Sequence, residues 1–503
     1  MKKSLFLIFV ALCIVMIWGI AVFGNETSEG SGKQEGGEKF RNLGFVYSHL
    51  GLYQDAVDAF EKYLEVDPGD ALVIRELGLS YNALGDSNNA IETLQNVLDK
   101  LPDDPKVLTT LGNLLYNSSQ TESAIDFLER SVAAQPDQPE TYYTLGNAYY
   151  DLAEYEKARD AFQQAVKYDE KYQVAFNNLG NSLFYLNSLD DAEKAYQKAI
   201  ELNPQDPLAH YNLGNVFYER EQNERAVEIF QKAVDLDQNY LDARNNLGNA
   251  LSALGKKEEA IAAYQEVIDR NPDYALAYFN IGLVYRDLND LQNALTSYVK
   301  AIQLDPEDVE TYYEMGNVYY DLKEYEKSAE YHKKAIEIKP DYIEAYNNLG
   351  NAYEALDQKV EALVAYQKAL DIKPDYNYAL YNIANVYYNM GDFYKSIDPF
   401  LKVNANNPKD YEALNNLGNS YLEIGRYQNA LKVYREALLI KPDYDLAHYN
   451  IGYTVLKYKD RDTAWKEYQY LLTVNKELAD KLQENIQSIN GTTPAPNQEQ
   501  SAQ

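Results

Sequence analysis

The sequence has few residues of the kinds that carry metal, disulfide or thiol chemistry. Its 503 residues include one cysteine and four histidines, too few for a metal cluster or a disulfide framework. No two histidines have the spacing of metal ligands, and no phosphate-binding loop, nucleophile elbow or zinc-protease motif is present. We therefore predict no catalytic residue, no metal site and no cofactor, and we expect the protein not to be an enzyme.

Basic residues are scarce relative to acidic ones. Lysine and arginine number 46 against 78 aspartates and glutamates, which gives a formal net charge of −32 at pH 7. A protein that neutralises phosphate groups presents a basic face, and an anionic membrane surface attracts basic segments in the same way. The composition therefore argues against nucleic acid and anionic membrane surfaces as partners.

One long hydrophobic run stands at the N-terminus. Lys2 and Lys3 precede 19 uncharged, largely apolar residues, 5–23. About 20 apolar residues cross a membrane as a helix, whereas the core of a cleaved signal peptide has about 7–15. Residues 1–24 are thus predicted to be a retained signal-anchor helix or a cleaved signal peptide. In both cases the positive flank predicts that the rest of the chain is periplasmic or extracellular, and any membrane contact is expected through this helix only.

Two polar segments flank the remaining sequence. Residues 25–36 are rich in Gly, Ser and Glu and contain no apolar side chain, so they are predicted to form a flexible linker. Residues 490–503 have a similarly biased composition and are predicted to be a disordered tail.

Between these segments a glycine recurs every 34 residues. The series runs from Gly44 to Gly452 without an insertion, and only Ala384 departs from it. Numbering this residue as position 8 defines thirteen repeats over residues 37–478. Each half of a repeat carries apolar residues at helical spacing, and a proline near position 32 ends the second helix. One helix pair cannot bury both of its faces, so neighbouring repeats are expected to stack. Aromatic residues at positions 4, 11 and 24 account for much of the unusual total of 48 tyrosines.

The residues of this pattern resemble the tetratricopeptide repeat. The motif residues of one repeat are, in chain order, Tyr346, Leu349, Gly350, Tyr353, Ala362, Tyr366 and Pro374. The resemblance implies an all-α fold, a right-handed superhelical solenoid of antiparallel helix pairs whose first helices line a concave groove. After the last repeat, apolar residues at helical spacing (Leu478, Leu482, Ile486 and Ile489) predict a capping helix over residues 479–489.

Asparagine dominates two positions of the predicted groove. Positions 6 and 9 are each asparagine in nine of the thirteen repeats, and their i, i+3 spacing puts them on one helical face. An asparagine side chain carries a donor and an acceptor, as a peptide unit does, which suggests that a ladder of amides holds an extended peptide. The alternative is that these side chains bond adjacent helix pairs to each other. The asparagines predicted to bind peptide are Asn178, Asn181, Asn212, Asn215, Asn246, Asn249, Asn348, Asn351, Asn382, Asn385, Asn416 and Asn419.

Tyrosines at positions 5 and 12 are the second set of predicted groove residues. A tyrosine offers a large rigid contact area with a polar tip. This set comprises Tyr143, Tyr150, Tyr211, Tyr218, Tyr313, Tyr320, Tyr381 and Tyr388. Acidic residues at positions 2 and 13 favour a neutral or basic polypeptide as partner, unless they serve only to keep the surface soluble.

These observations predict a non-enzymatic interaction scaffold. It would be tethered to a membrane, face away from the cytoplasm and bind a protein or extended peptide in its groove to assemble an envelope complex. The alternative is a regulatory or substrate-recruiting subunit of a transferase, secretion or polysaccharide-synthesis system whose catalytic chain is separate. The sequence gives no indication of an oligomeric state.

Overall fold

A computed structural model describes residues 31–488, with side chains from residue 36 onward. The predicted membrane segment 1–24 and the predicted tail 490–503 lie outside these residues. Within the described part of the chain, no helix is both long enough and apolar enough to cross a membrane.

Residues 31–488 form 27 helices in two compact units, which divide between Ala250 and Leu251. The N-terminal unit contains α1 Ser31–His49, α2 Tyr53–Leu64, α3 Ala71–Ala83, α4 Ser87–Val97, α5 Pro105–Asn117, α6 Thr121–Ala134, α7 Pro139–Asp151, α8 Tyr155–Tyr168, α9 Gln173–Tyr185, α10 Leu189–Leu202, α11 Pro207–Glu219, α12 Asn223–Leu236 and most of α13 Leu241–Ala253. The C-terminal unit contains α14 Lys257–Arg270, α15 Ala275–Asp287, α16 Leu291–Leu304, α17 Val309–Asp321, α18 Tyr325–Ile338, α19 Ile343–Ala355, α20 Lys359–Ile372, α21 Asn377–Asn389, α22 Phe393–Asn406, α23 Tyr411–Glu423, α24 Tyr427–Ile440, α25 Asp445–Leu456, α26 Arg461–Val474 and α27 Lys476–Ser488.

Local signals explain where these helices begin and turn. Asp104, for example, caps α5 by accepting hydrogen bonds from the backbone N–H groups of Lys106 and Val107 at 3.0 and 3.1 Å. The turn between the two helices of every pair has a residue with positive φ at position 15. A left-handed residue there closes the C-terminal end of the first helix. The position is glycine in five pairs, and in the others it is Ser119, Ala153, Asn187, Glu221, Asn289, Lys323, Asp357 or Lys459.

The glycine at position 8 allows the two helices of a pair to approach closely. A Cβ atom on Gly350 would lie 2.4 Å from Cε1 of Tyr366, the position-24 residue of the same pair. Tyr366 is fully buried. Most other pairs repeat this contact, with a Tyr, Phe, Leu or His in place of Tyr366. The recurring glycine is therefore a packing requirement of the core.

Each pair also packs against the next one within its unit. In the N-terminal unit, for example, α8 contacts both α7 and α9, and α7 also contacts α9. In the C-terminal unit α18 contacts both α17 and α19, and α17 also contacts α19. Successive first helices thus adjoin one another within a unit, and their outward sides form one surface.

The first helix extends further toward the N-terminus than predicted. Helix α1 begins at Ser31, so residues 31–36 are helical, whereas a flexible linker was predicted up to residue 36. Extending a helix by one more turn costs little once its later turns are fixed by packing. Those later turns are fixed here, because Phe40 and Phe45 pack against a group of buried residues that includes Val57 and Phe60.

The final helix also begins earlier than predicted. Helix α27 covers Lys476–Ser488, whereas the predicted capping helix began at residue 479. The reason is Asn475, which ends α26 and accepts a hydrogen bond from the N–H of Leu478 at 3.2 Å, as an N-cap residue does. Helix α27 buries Ala479, Leu482 and Ile486, while Ile489 lies outside the described residues.

We predict that Gly350→Ala destabilises the tenth pair by about 1–3 kcal/mol, because the new methyl group would overlap the Tyr366 ring. Native-state hydrogen exchange of α19 and α20 would measure the effect. Gly36→Ala is the control, because no atom lies within 4 Å of the corresponding Cβ. Equal exchange in the two variants would contradict the packing argument.

Candidate polypeptide-binding surface

Every first helix buries one side and leaves the other partly exposed. In α7, Leu145 and Ala148 are buried, whereas Tyr143, Asn147 and Tyr150 are partly exposed. These exposed residues stand at positions 5, 9 and 12 of the repeat. We call the surface formed by positions 5, 6, 9, 12 and 13 the first-helix face.

In the N-terminal unit the predicted asparagines bond one helix pair to the next. In the fifth, sixth and seventh pairs, the position-6 asparagine donates from Nδ2 to Oδ1 of the position-9 asparagine in the preceding pair. The donor–acceptor distances are 2.9 Å for Asn178 to Asn147, 3.1 Å for Asn212 to Asn181 and 2.9 Å for Asn246 to Asn215. Asn249 is the remaining asparagine of this unit that was predicted to bind peptide, and it donates to Asn246 at 3.3 Å.

The C-terminal unit repeats the same bond. The distances are 2.9 Å for Asn348 to Asn317, 3.0 Å for Asn382 to Asn351 and 3.0 Å for Asn450 to Asn419. The contact differs at Asn416, whose Nδ2 donates to the hydroxyl of Tyr381 at 2.9 Å. Asn385, at position 9 of the pair that contains Tyr381, is partly exposed on the first-helix face.

These bonds are the contacts expected if the asparagines connect adjacent pairs. Both partners of each bond stay partly exposed, so the amides remain part of the first-helix face. Their binding to a peptide backbone stays a prediction. Asn113, by contrast, has a buried Oδ1 without a hydrogen-bond partner among the described residues, because position 6 of the following pair is Thr144.

Position 5 alternates between tyrosine and asparagine along much of the chain, and the sequence reasoning missed the meaning of this alternation. In four of the five pairs with tyrosine at position 5, position 24 is Phe or His, as in Tyr143 with Phe162 and Tyr313 with His332. The ring centroids of these two pairs are 5.9 and 5.5 Å apart. The tyrosine hydroxyl then accepts a hydrogen bond from the next pair, as Tyr313 does from Asn348 at 3.1 Å.

Where position 5 is asparagine, the hydroxyl comes from the second helix instead. Tyr366 at position 24 donates to Oδ1 of Asn351 at 2.8 Å, and Asn347 at position 5 accepts from Asn382 at 3.1 Å. Tyr196 and Tyr434 donate to the position-9 asparagines of their pairs in the same way. Pairs with tyrosine at position 5 and pairs with asparagine there thus both supply a hydrogen-bond acceptor to the next pair. Both also place a phenol hydroxyl beside the asparagines. The residue types at positions 5 and 24 change together, and this is the sequence signal that could have revealed the arrangement.

The predicted position-12 tyrosines lie at the edge of the first-helix face. Tyr218 and Tyr320 are each 38% exposed. Tyr150 meets Tyr155 edge-on at 5.5 Å, and Tyr320 meets Tyr325 in the same manner at 5.2 Å. The rings are thus oriented by aromatic neighbours while part of each remains open to solvent.

The pattern of asparagines is broken once in the C-terminal unit. Position 9 of the eighth repeat is Leu283 and position 6 of the ninth is Glu314. Glu314 forms an ion pair with Arg286. Burial raises the pKa of Glu314, and the charge of Arg286 opposes that shift. The hydroxyl of Tyr298 is buried and has no hydrogen-bond partner among the described residues, because Leu283 offers no acceptor where other pairs have asparagine.

A polar cavity of about 210 Å³ lies next to this break. Its lining residues are Arg286, Tyr313, Asn317, Tyr320, Asp321, His332, Asn348 and Asn351. His332 is fully buried, and neither ring nitrogen has a hydrogen-bond partner among the described residues. Burial lowers the pKa of His332 to about 3, so its imidazole is neutral at pH 7.

Within residues 36–488, no group of three or more His, Cys, Asp or Glu side chains is arranged to hold a metal ion. The arrangement on the first-helix face offers hydrogen bonds, aromatic surface and acidic groups. Such a surface can bind a chain by contact.

These helices and contacts define an all-α helical-repeat solenoid, and comparisons with protein-family models identify the repeat. A "TPR repeat" model matches residues 180–220, 214–255, 248–287, 282–323, 316–357 and 418–457. "Tetratricopeptide repeat" models match residues 42–70, 343–376, 378–410 and 400–432. The chain is a tetratricopeptide-repeat protein. Residues 83–165 also match the model of "Anaphase-promoting complex, cyclosome, subunit 3".

Solved structures with similarity to the chain include several repeat proteins. The "APC/C hetero-tetramer Cut9-Hcn1" structure is 17% identical, with 90% of this chain and 96% of that chain covered and a TM-score of 0.38. YrrB, described as "a TPR protein with an unusual peptide-binding site", is 24% identical over 37% of this chain and 95% of its own, with a TM-score of 0.32. MamA is 24% identical over 33% of this chain and 97% of its own, with a TM-score of 0.31. No curated protein matches the chain significantly.

We predict that Asn382→Ala weakens the contact between α19 and α21. The substitution removes two hydrogen bonds, to Asn347 and Asn351. At about 0.5–1.5 kcal/mol for each bond, the free energy of local opening should fall by about 1–3 kcal/mol. Native-state hydrogen exchange of these helices would measure it.

The matched control is Asn389→Ala, which makes the same chemical change at an exposed residue of α21. A surface substitution of this kind should change stability by less than about 0.5 kcal/mol. If the two variants exchange alike, the asparagine bonds do not hold the pairs together.

Proposed function

We propose that the protein is a non-enzymatic scaffold that binds a partner polypeptide along its first-helix face. The observation that carries this proposal is the row of partly exposed tyrosines at positions 5 and 12. Those at position 5 are held by hydrogen bonds from the next pair, and Tyr150 and Tyr320 at position 12 are held by ring contacts. Surface tyrosines fixed in this way lose little conformational entropy when a partner covers them.

Energetics favour the tyrosines over the asparagines as the source of affinity. A net hydrogen bond contributes about 0.5–1.5 kcal/mol, whereas ordering one residue of a partner's backbone costs about 1–2 kcal/mol. The position-6 donors are, moreover, already engaged between helix pairs. Binding energy must therefore come mainly from aromatic contact and from side-chain pockets.

Charge supports a neutral or basic partner. Asp151 and Asp321 stand at position 13, beside the tyrosines of position 12. Acidic groups at the rim of an interface raise the rate of encounter with a basic polypeptide and disfavour an acidic one. We propose the same preference for this protein.

The double variant Tyr218→Ala, Tyr320→Ala tests the surface. Used as bait on membranes of the source cell, the full chain should capture specific polypeptides, and this variant should capture at least tenfold less, because both rings are 38% exposed on the first-helix face. Tyr168→Ala, Tyr394→Ala is the control, since these rings are 39% and 66% exposed on second helices. Capture that falls equally in both variants, or in neither, would refute the proposed surface.

We further propose that residues 1–24 tether the scaffold to a membrane, or are cleaved on export, with the repeats outside the cytoplasm assembling an envelope complex. The support is the 19-residue run behind Lys2 and Lys3. A reporter enzyme that is active only outside the cytosol, fused after Gln503, should be active in intact cells. The control is the same fusion with Lys2 and Lys3 kept and apolar residues 5–23 deleted, which should be inactive. Activity of a cytosol-only reporter at Gln503 would overturn this localisation.

A further inference from the structure

Most of the residues that line the cavity beside Arg286 have identical counterparts five repeats earlier in the chain. Residues 140–143 and 310–313 are both Glu-Thr-Tyr-Tyr, and Tyr-Tyr-Asp-Leu follows at residues 149–152 and 319–322. The contacts correspond as well: Asn178 donates to Tyr143 and Asn147, and Asn348 donates to Tyr313 and Asn317. The two places thus share their tyrosines, their asparagines and an aspartate.

Three of the residues that differ between the two places bear directly on the cavity. Arg286 stands where the earlier place has Tyr116, Glu314 replaces Thr144, and His332 replaces Phe162. In the earlier place the hydroxyl of Tyr116 donates to Asp151 at 2.8 Å. In the later place Arg286 pairs with Glu314 instead. Asp321, the counterpart of Asp151, has no hydrogen bond or ion pair among the described residues.

The later cavity consequently offers both donors and an acceptor that the protein leaves unused. Arg286 donates from one terminal nitrogen to Glu314, and its other two nitrogens have no partner in the described part of the chain. Asp321 lines the same cavity but is too far from Arg286 to pair with it. The cavity, at about 210 Å³, is smaller than the pockets that usually hold small-molecule ligands, and its size suits one side chain.

Charge restricts what that side chain can be. A cationic group would meet the guanidinium of Arg286, and an anionic group would meet the carboxylate of Asp321. An apolar group would cover these polar atoms without bonding to them, which is costly. A primary carboxamide is neutral, accepts at its oxygen and donates at its nitrogen.

We propose that the cavity beside Arg286 binds the carboxamide side chain of a glutamine or asparagine in the partner polypeptide. The carboxamide oxygen accepts from Arg286 and its NH₂ group donates to Asp321. The neighbouring Tyr313 and Tyr320 contact the aliphatic part of the side chain. This inference rests on the proposed function, since it names a side chain of the polypeptide that the first-helix face binds.

The histidines provide the measurement. The chain has four of them, so ¹³C-labelled histidine gives a simple spectrum of the full chain, in which the signal lost in His332→Phe belongs to His332. The probe is N-acetyl-glutamine N-methylamide, and the norleucine, lysine and glutamate derivatives carry the same backbone amides. We expect the glutamine probe to shift the His332 signal saturably and the other three to leave it in place.

Two variants test which side chains bind the probe, and both keep His332, whose NMR signal reports the binding. Arg286→Tyr, Glu314→Thr installs the residues of the earlier place, and it should weaken binding of the glutamine probe at least tenfold. Asp321→Ala should do the same. Asp151→Ala is the matched control at the earlier place and should leave the binding unchanged.

The inference is wrong if the norleucine or lysine probe shifts the His332 signal as strongly as the glutamine probe does. It is also wrong if Asp321→Ala binds the glutamine probe as the unmodified chain does. These results are separate from those on the proposed function. If the Tyr218, Tyr320 variant loses partner capture but the unmodified chain does not bind the glutamine probe, only the carboxamide site is refuted. If the unmodified chain binds the glutamine probe but partner capture does not depend on Tyr218 and Tyr320, only the proposed partner surface is refuted.

Discussion

The contact between the residue at position 8 and the side chain at position 24 constrains both the core and the exposed surface. With glycine at position 8, the aromatic ring lies directly against the first helix, as the Tyr366 ring does at Gly350. The tip of that ring then reaches the first-helix face. In the pairs of Tyr196, Tyr366 and Tyr434 the position-24 hydroxyl bonds to the asparagine at position 9. In the pairs of Phe162, Phe230 and Phe400 a tyrosine at position 5 supplies the hydroxyl instead. In these pairs the core residue at position 24 thus goes with the helix that supplies the phenol beside the asparagines.

The asparagines connect the stability of the fold with the proposed binding surface. Each bond between positions 6 and 9 joins two helix pairs, and the stability of a repeat protein depends on such interfaces between neighbours. A partner that binds across several first helices stabilises the state in which those interfaces are closed. The surface proposed to bind the polypeptide is therefore also the surface that holds successive pairs in register.

Much of the fold was predictable because the signal is repeated. The glycine series and the helical spacing of apolar residues predict helix pairs, and family models identify tetratricopeptide repeats in the same residues. The turn at position 15 was not predictable from composition. In Glu221 or Lys323, for example, nothing in the residue type signals a positive φ. The start of α1 was missed for a related reason, since a polar, glycine-containing segment becomes helical when the following turn is anchored in the core.

The candidate surface was predictable in its residues but only in part in its contacts. The sequence identified asparagine at positions 6 and 9, and it left open whether these side chains face a peptide or each other. The distances of about 3 Å between pairs needed the structure. The ion pair of Arg286 with Glu314 joins residues in different pairs, and it was missed because the reasoning treated each position as a column of like residues.

The departures from the pattern are more informative than the pattern itself. Leu283, Glu314 and His332 each replace a residue that completes a hydrogen bond or a ring contact elsewhere in the chain. Together they leave a buried hydroxyl on Tyr298, a buried neutral imidazole and a partly buried carboxylate. Each of these is unfavourable for stability. Natural proteins break their local rules chiefly at functional sites, and here His332 lines the cavity while Glu314 pairs with Arg286, which also lines it. Because the place five repeats earlier keeps Thr144 and Phe162, the same fold evidently does not require these departures, and packing alone does not explain them.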